Sequence, residues 1–295
     1  MKRPVIIDTD LTLDDAVALA IASKSENIEI KAVTTVGENK YRINQISASI
    51  SKAFDLCCQT GTGGVKPVFK DEFNTDDVYG EYTIYDGVLP KCEDKDNGYA
   101  WDIIRTEAEK SEGNLEILTL GPVTNIATAI LRYPHIKPMI KQIFVVAGAG
   151  YTGNISPYSE YNACCDPDAL QIVFDSGIPV VLCPLEALEN CGLDAEKLFC
   201  KDFENKTVKS LFEVYKNNKQ LYTDGKIVLN SAVAASAFVN SAYVTKYYFA
   251  ACETRTGENQ GWTIIDRLGK YKKEPNIKVV TETDKEAFEK VIFEL

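Results

Sequence analysis

Short, apolar, β-branched runs that stop in polar clusters and give way to helical spacing recur along this chain, and that alternation limits the fold more than any other feature. Residues 5–7 (VII) read as a short buried strand, 28–36 (IEIKAVTTV) as a second, and 65–69, 115–120 (LEILTL), 142–147 (QIFVVA) and 178–183 (IPVVLC) as further ones. Between them, residues 12–20, 43–54, 101–111, 124–131 and about 167–175 carry helical spacing. Repetition of this kind predicts an α/β protein with a Rossmann-like, mostly parallel sheet, right-handed crossovers and helices on both faces. Later segments predict a helix over 202–222, a small-residue helix over 230–239 and a hairpin-containing tail over 247–266. A length of 295 residues suits one large domain, 1–295.

The first strand releases Asp8, Asp10, Asp14 and Asp15 within eight positions. Thr12 and Asp15 have capping-box spacing, so the acids sit at a strand end and a helix mouth. Acids in a first helical turn complement the macrodipole, which gives Asp14 and Asp15 a purely structural reading. That reading leaves Asp8 and Asp10 unexplained, at the strand end where open α/β sheets bind ligands. Carboxylates about 4 Å apart in a partly buried site repel by roughly 4 kcal/mol per pair at an effective dielectric near 20, so the cluster calls for compensation. Protonation, a helix N-terminus or a metal supplies it, and an oxygen-only donor set favours Ca²⁺ or Mg²⁺ over zinc.

Net charge is −11 without a basic run, which argues against nucleic acid or an anionic membrane as partner and for a small uncharged or cationic substrate. The opening MKRPVII is too short an apolar run for a secretory segment, and no later stretch reaches the length of a membrane span; the expectation is a cytoplasmic protein. Nine cysteines include no CxxC, so reduced thiols are expected and zinc is not. The one histidine, His135, falls in a helix-to-strand connection and reads as a surface residue. Residues 70–95, rich in Asp, Gly, Tyr and Asn, form a connection long enough to be a lid or rim.

Two chemistries compete for the opening stretch. DTDLT satisfies the aspartyl-phosphatase signature of the haloacid-dehalogenase family, with Asp8 as nucleophile and Asp10 as acid/base, but the strands at 142–147 and 178–183 carry no following acid pair for Mg²⁺. The DTD and DDA together resemble the opening motif of the inosine-uridine preferring nucleoside hydrolases. Four further segments match that family in order: TTVGEN at 34–39, LGPVTNIATA at 120–129, GNISPYSEYNACCDPDAL at 153–170 and FDSGIPVVLCPL at 174–185.

The resemblance implies the nucleoside hydrolase fold and Ca²⁺-dependent cleavage of the N-glycosidic bond of ribonucleosides, in nucleoside salvage, by a homodimer or homotetramer. It implies Asp10, Asp15 and the Leu120 carbonyl as metal ligands, with Asn230 offering a neutral oxygen where the family has a further acid, and Asp10 also activating the attacking water. Asp14 and Asn162 would hold the 2′- and 3′-hydroxyls, Asn154 and Glu160 the 5′-hydroxyl, and Asn39 would lie beside the sugar. Asp8 would be an inner acid tying loop amides, and Thr124 and Asn125 read as helix-capping. Glu160 would meet a 5′-phosphate, so free nucleosides are the expected ligands.

The chain also departs from that family. The usual C-terminal His and Asp are replaced by KIVLNSAVAASAF, where Asn230 or Ser231 stands for the Asp and no histidine exists. Leu11 and Thr12 replace a Pro-Gly pair, and the histidine expected near Asp86 and Gly87 is absent. These losses motivate an alternative, a homologue that binds a ribosyl ligand with weak or no turnover. Tyr82, Tyr85, Tyr215 and Tyr222 lie in segments expected to rim the base, though packing roles are the default for any one of 15 tyrosines.

Overall fold

The structure is a computed structural model that describes residues 2–37, 40–70, 85, 87–92 and 98–295. Its first half runs β1 (Arg3–Thr9), α1 (Leu13–Lys24), β2 (Ile28–Thr35), α2 (Lys40–Ala53), β3 (Gln59–Thr62), α3 (Ala100–Lys110), β4 (Leu115–Thr119) and α4 (Thr124–Arg132). Next come β5 (Ile140–Val146), α5 (Tyr161–Cys165), α6 (Pro167–Phe174), β6 (Val180–Cys183), α7 (Leu185–Leu188), β7 (Leu193–Asp194), α8 (Ala195–Cys200) and α9 (Lys206–Asn217). The chain closes with β8 (Lys226–Ile227), α10 (Asn230–Val239), β9 (Val244–Thr254), β10 (Thr263–Asp266), β11 (Ile277–Thr283) and α11 (Lys285–Phe293).

Nine strands form one sheet in the order β10-β9-β11-β6-β5-β4-β1-β2-β3, parallel from β3 to β11 and antiparallel where β9 meets β11 and β10. The chain winds outward from β1 through β2 to β3, then returns to β4 on the other side, so the switch point lies between β1 and β4. In sheets of this kind the crevice beyond the carboxyl ends of those two strands is where ligands sit. Asp8 pairs there with Thr34 of β2 and Thr119 of β4.

Side-chain alternation builds two cores. Val5 and Ile7 face one cluster with α1, α9, α10 and α11, while Ile6 faces the other with α3, α4 and α6. Helix α1 is buried nearly all round because α10, rich in alanine, packs on it. The expected Rossmann-like single α/β domain is therefore present. Among the described residues no helix is long and apolar enough to cross a membrane.

Three local readings are corrected. The strand expected at 65–69 is instead β3: Gly63, Gly64 and Pro67 interrupt the apolar stretch, while Gly61 brings its strand against α3, where a Cβ would stand 2.6 Å from Ile103 Cδ1. The helix expected from 202 begins only after Asn205, whose side chain accepts from the Thr207 and Val208 amides, and its α-helical part ends at Asn217. Within the polar loop before Pro167 lies a further helix, α5, capped by Glu160. The hairpin in the tail is present as β9 and β10. His135 is exposed, 3.1 Å from Glu109, and among the described residues no cysteine forms a disulfide. Most of the segment expected as a lid lies outside the described residues.

Candidate active site

The turn between β1 and α1 is assembled by its own side chains. Thr9 donates to Asp15 Oδ2 at 2.5 Å, the Leu11 amide donates to Thr9 Oγ1 at 2.9 Å, and the Thr12 amide reaches Asp15 Oδ2 at 3.4 Å. Leu11 holds φ 58, an uncommon left-handed backbone for a fully buried leucine. A proline, locked near −65°, could not follow this path.

Asp8, Asp10 and Asp15 are buried. Burial and then the Asp15 charge and hydrogen bond drive the Asp10 carboxyl well above the usual carboxylate range. Desolvation pushes Asp8 up to about 7, against the opposing hydrogen bonds of Asn125 and Thr34. The crowding anticipated for the acids is thus real for Asp10 and Asp15.

Opposite them, the end of β4 comes unusually close. A Cβ at Gly121 would stand 2.8 Å from the Asp10 amide nitrogen and 3.1 Å from Asp10 Cγ, so only glycine lets the Leu120–Gly121 backbone approach the acid. The Leu120 carbonyl accepts from Asn162 Nδ2 at 2.7 Å, and the same amide donates to the Val146 carbonyl at 2.8 Å. Asn162 is thereby fixed with its amide group engaged. Glu160 accepts from the amides of Gly148, Asn162 and Ala163, and burial pushes it up to about 7. It adds negative potential at Asp10.

Asp14 accepts from the amides of Ser231 at 2.7 Å and Ala232 at 3.1 Å, so one carboxylate of α1 caps the start of α10. Desolvation, then Asp15, pushes it up to about 8. Asn154 is exposed and spends its side-chain oxygen on the Tyr161 amide. The structure therefore gathers Asp10, Asp15, Leu120, Glu160 and Asn162, with Asp14 and the start of α10 alongside, and places Asn154 at an exposed edge. Asn39, Tyr82 and Asp86 lie outside the described residues.

Asp8 and Asn125 differ from expectation. Asp8 Oδ1 accepts from the Thr34 hydroxyl and from Asn125 Nδ2, side chains rather than loop amides. Asn125 does not cap α4: its amide also donates to the Thr35 carbonyl, and its oxygen accepts from the Gly64 amide, tying β1, β2 and the loop after β3 together. Thr124 donates to Asp166. No local spacing signals these links, because each partner is at least 26 residues away in sequence.

A metal fits the donor set in part by charge and in part by unmet need. Among the described residues no three His, Cys, Asp or Glu side chains gather as a metal group, so a cation here would be held by two carboxylates and neutral oxygens. Asp15 Oδ1 and Asn230 Oδ1 are buried without a hydrogen-bond partner among the described residues, two oxygens of the kind a hard cation uses.

Comparison with known proteins decides between the two chemistries. The profile of the inosine-uridine preferring nucleoside hydrolases matches residues 5–290. The chain belongs to that family. It is accordingly a hydrolase of N-glycosyl compounds, and the phosphatase reading falls; Asp8, its nucleophile, is fully buried and bound by Thr34 and Asn125. The pyrimidine-specific ribonucleoside hydrolase RihB of Escherichia coli O1:K1 is 29% identical, over 97% of this chain and 95% of that protein. Among solved structures, an inosine-guanosine nucleoside hydrolase superposes with a TM-score of 0.88 at 22% identity, covering 100% of this chain and 98% of the other. A purine-preferring ribonucleoside hydrolase from Gardnerella vaginalis gives 0.83 at 23% identity, covering 99% and 97%. The fold of the hydrolases is shared throughout.

Proposed function

We propose that this chain hydrolyses free ribonucleosides to base and ribose, with Ca²⁺ held by Asp10, Asp15, the Leu120 carbonyl and Asn230. The observation that carries the metal is that Asp15 Oδ1 on α1 and Asn230 Oδ1 at the start of α10, two helices that Asp14 joins, are buried without a hydrogen-bond partner among the described residues, while burial and Asp15 destabilise Asp10 as an anion. Bound there, Ca²⁺ would supply Lewis acidity, lowering the pKa of a water and orienting a vicinal diol.

The protein groups do the rest. Cleavage of the bond builds positive charge on the ribose, which a surround of carboxylates and amide oxygens stabilises. Asp10 takes the proton of the attacking water. Asp14 and Asn162 receive the 2′- and 3′-hydroxyls, and Asn154 and Glu160 the 5′-hydroxyl, with Asn39 beside the sugar. A 5′-phosphate would face Glu160 and a net charge of −11, so nucleosides are preferred over nucleotides. We place the enzyme in the cytoplasm, in nucleoside salvage, as a dimer or tetramer that size-exclusion chromatography with light scattering would identify.

Release of reducing sugar from a nucleoside panel, with and without EDTA, tests the reading: activity should vanish with the chelator and return with Ca²⁺. Asn230 and Ser231, neutral where the family supplies His and Asp, favour a second reading, a binder of ribosyl ligands. A thermal shift with ribose and no sugar release from any nucleoside would select it.

A further inference from the structure

Directly after Asp10, Leu11 stands at φ 58, a backbone that a leucine keeps only where its surroundings over-determine it. From inside the turn, Thr9 Oγ1 accepts the Leu11 amide at 2.9 Å and donates to Asp15. The carbonyls of Leu11 and Thr12 are met from elsewhere in the chain: both lie within reach of one hydroxyl, that of Tyr85, at 3.2 and 2.6 Å. A carbonyl only accepts, so the phenol is the donor.

Tyr85 belongs to the connection between β3 and α3, 73 residues from Thr12 in sequence. It is buried and shares a core cluster with Leu11 and Leu13. Its own carbonyl accepts from the Val88 and Leu89 amides, which makes it the first residue of a tight turn whose Val88 and Leu89 lie against the same core. The hydroxyl is thus engaged with the β1–α1 turn rather than offered to a base. Across that turn the Gly121 backbone closes on Asp10, where a Cβ would stand 2.8 Å from the Asp10 amide nitrogen. Asp10 is therefore held between the end of β4 and a turn that Tyr85 clamps.

Resting on the metal-assisted hydrolase reading above, we propose that Tyr85 is a positioning residue for the reaction: its hydroxyl holds the left-handed Leu11 turn so that Asp10 and Asp15 present their oxygens to one cation. Groups that orient metal ligands from outside govern affinity and rate nearly as strongly as the ligands do. A glycine would keep φ 58 without help, whereas Leu11 keeps it only while its carbonyl side is tied. Tyr85 touches neither water nor sugar in this role and acts through Asp10.

Tyr85→Phe keeps the ring and removes the one oxygen. Calorimetry with calcium chloride should show Ca²⁺ binding weakened on the order of tenfold, and kcat should fall by a similar factor on uridine and inosine alike, because Asp10 serves both. In a Leu11→Gly background the same change should cost less than about twofold, since glycine takes φ 58 unaided. A tyrosine that only filled the core would show no such rescue. Unchanged Ca²⁺ affinity in folded Tyr85→Phe, an equal loss in both backgrounds, or a loss of kcat confined to one base overturns the proposal. Melting curves report folding, and should Tyr85→Phe alone fail to fold, the paired variant decides: a folded pair that binds Ca²⁺ supports the clamp, and an unfolded pair overturns it. A parent that binds no Ca²⁺ overturns the metal reading and this proposal with it, whereas a parent that binds it no more tightly than Tyr85→Phe overturns this proposal alone.

Discussion

The crevice beyond β1 and β4 has two walls that differ in how they are made. One wall, from Asp8 to Asp15 with Leu120, Glu160 and Asn162, is charged, buried and tied by short hydrogen bonds. The other, the start of α10, offers the neutral Asn230 and Ser231, and Asp14 holds the Ser231 amide. Ribose is common to every nucleoside, so the wall that would hold it is constrained by one ligand. The leaving base varies, and the similar proteins named above are themselves described as pyrimidine-specific, inosine-guanosine and purine-preferring. The contrast teaches that sugar recognition and base release are separable parts of this site.

Several substitutions would break or sharpen that contrast. Asp10→Ala should lower turnover by roughly 1,000-fold on every nucleoside, because a general base on the sugar side serves all of them; initial rates of sugar release measure it, and a loss confined to one base would merge the two walls.

Leu11→Pro, which restores the family residue, should destabilise the fold by about 3 kcal/mol in urea melts, since φ 58 is closed to proline and the amide that donates to Thr9 is lost. Wild-type stability in that variant would mean that the turn relaxes freely.

The buried Glu160 gives a pH signature on the sugar side. Its carboxyl titrates near the ordinary 4.5 when unfolded and near about 7 when folded, so the folded state binds the extra proton between those values. The Glu160 share of stability in metal-free buffer should therefore fall as pH rises from about 4.5 to 7, by up to about 3 kcal/mol. Asp8, Asp10 and Asp14, also raised by burial, add slopes of the same sign, so Glu160→Gln should make the slope shallower without removing it, and an unchanged slope would assign it elsewhere.

Smallest, Asn230→Asp returns a charge to the neutral wall and should tighten Ca²⁺ binding about tenfold by calorimetry. Unaltered affinity would remove residue 230 from the ion.

The alternation of β-branched runs and helical spacing predicts β1, β2 and β4 to β6 because each is decided by its own burial pattern. The edge strand β3 escapes that logic: QTGT is polar, and it pairs with β2 because Gly61 fits under Ile103 and Thr34. Helix α5 has five residues, too few for a period, and depends on the Glu160 cap. In the site, the acid cluster was legible since its members are neighbours in sequence. The Asn125 knot, the approach of Gly121 to Asp10 and the grip of Asp14 on Ser231 were not, because they join segments 61 to 217 residues apart or, for Gly121, a strand end more than a hundred residues along the chain.

That grip of Asp14 has a consequence for any experiment on the first helix. A single side chain rivets two helices and is also the one we propose for a sugar hydroxyl, so removing it should loosen the frame and the ligand contact together. A poorer Michaelis constant and a lower melting point should then appear side by side in an Asp14 variant, and affinity lost there measures architecture as much as touch.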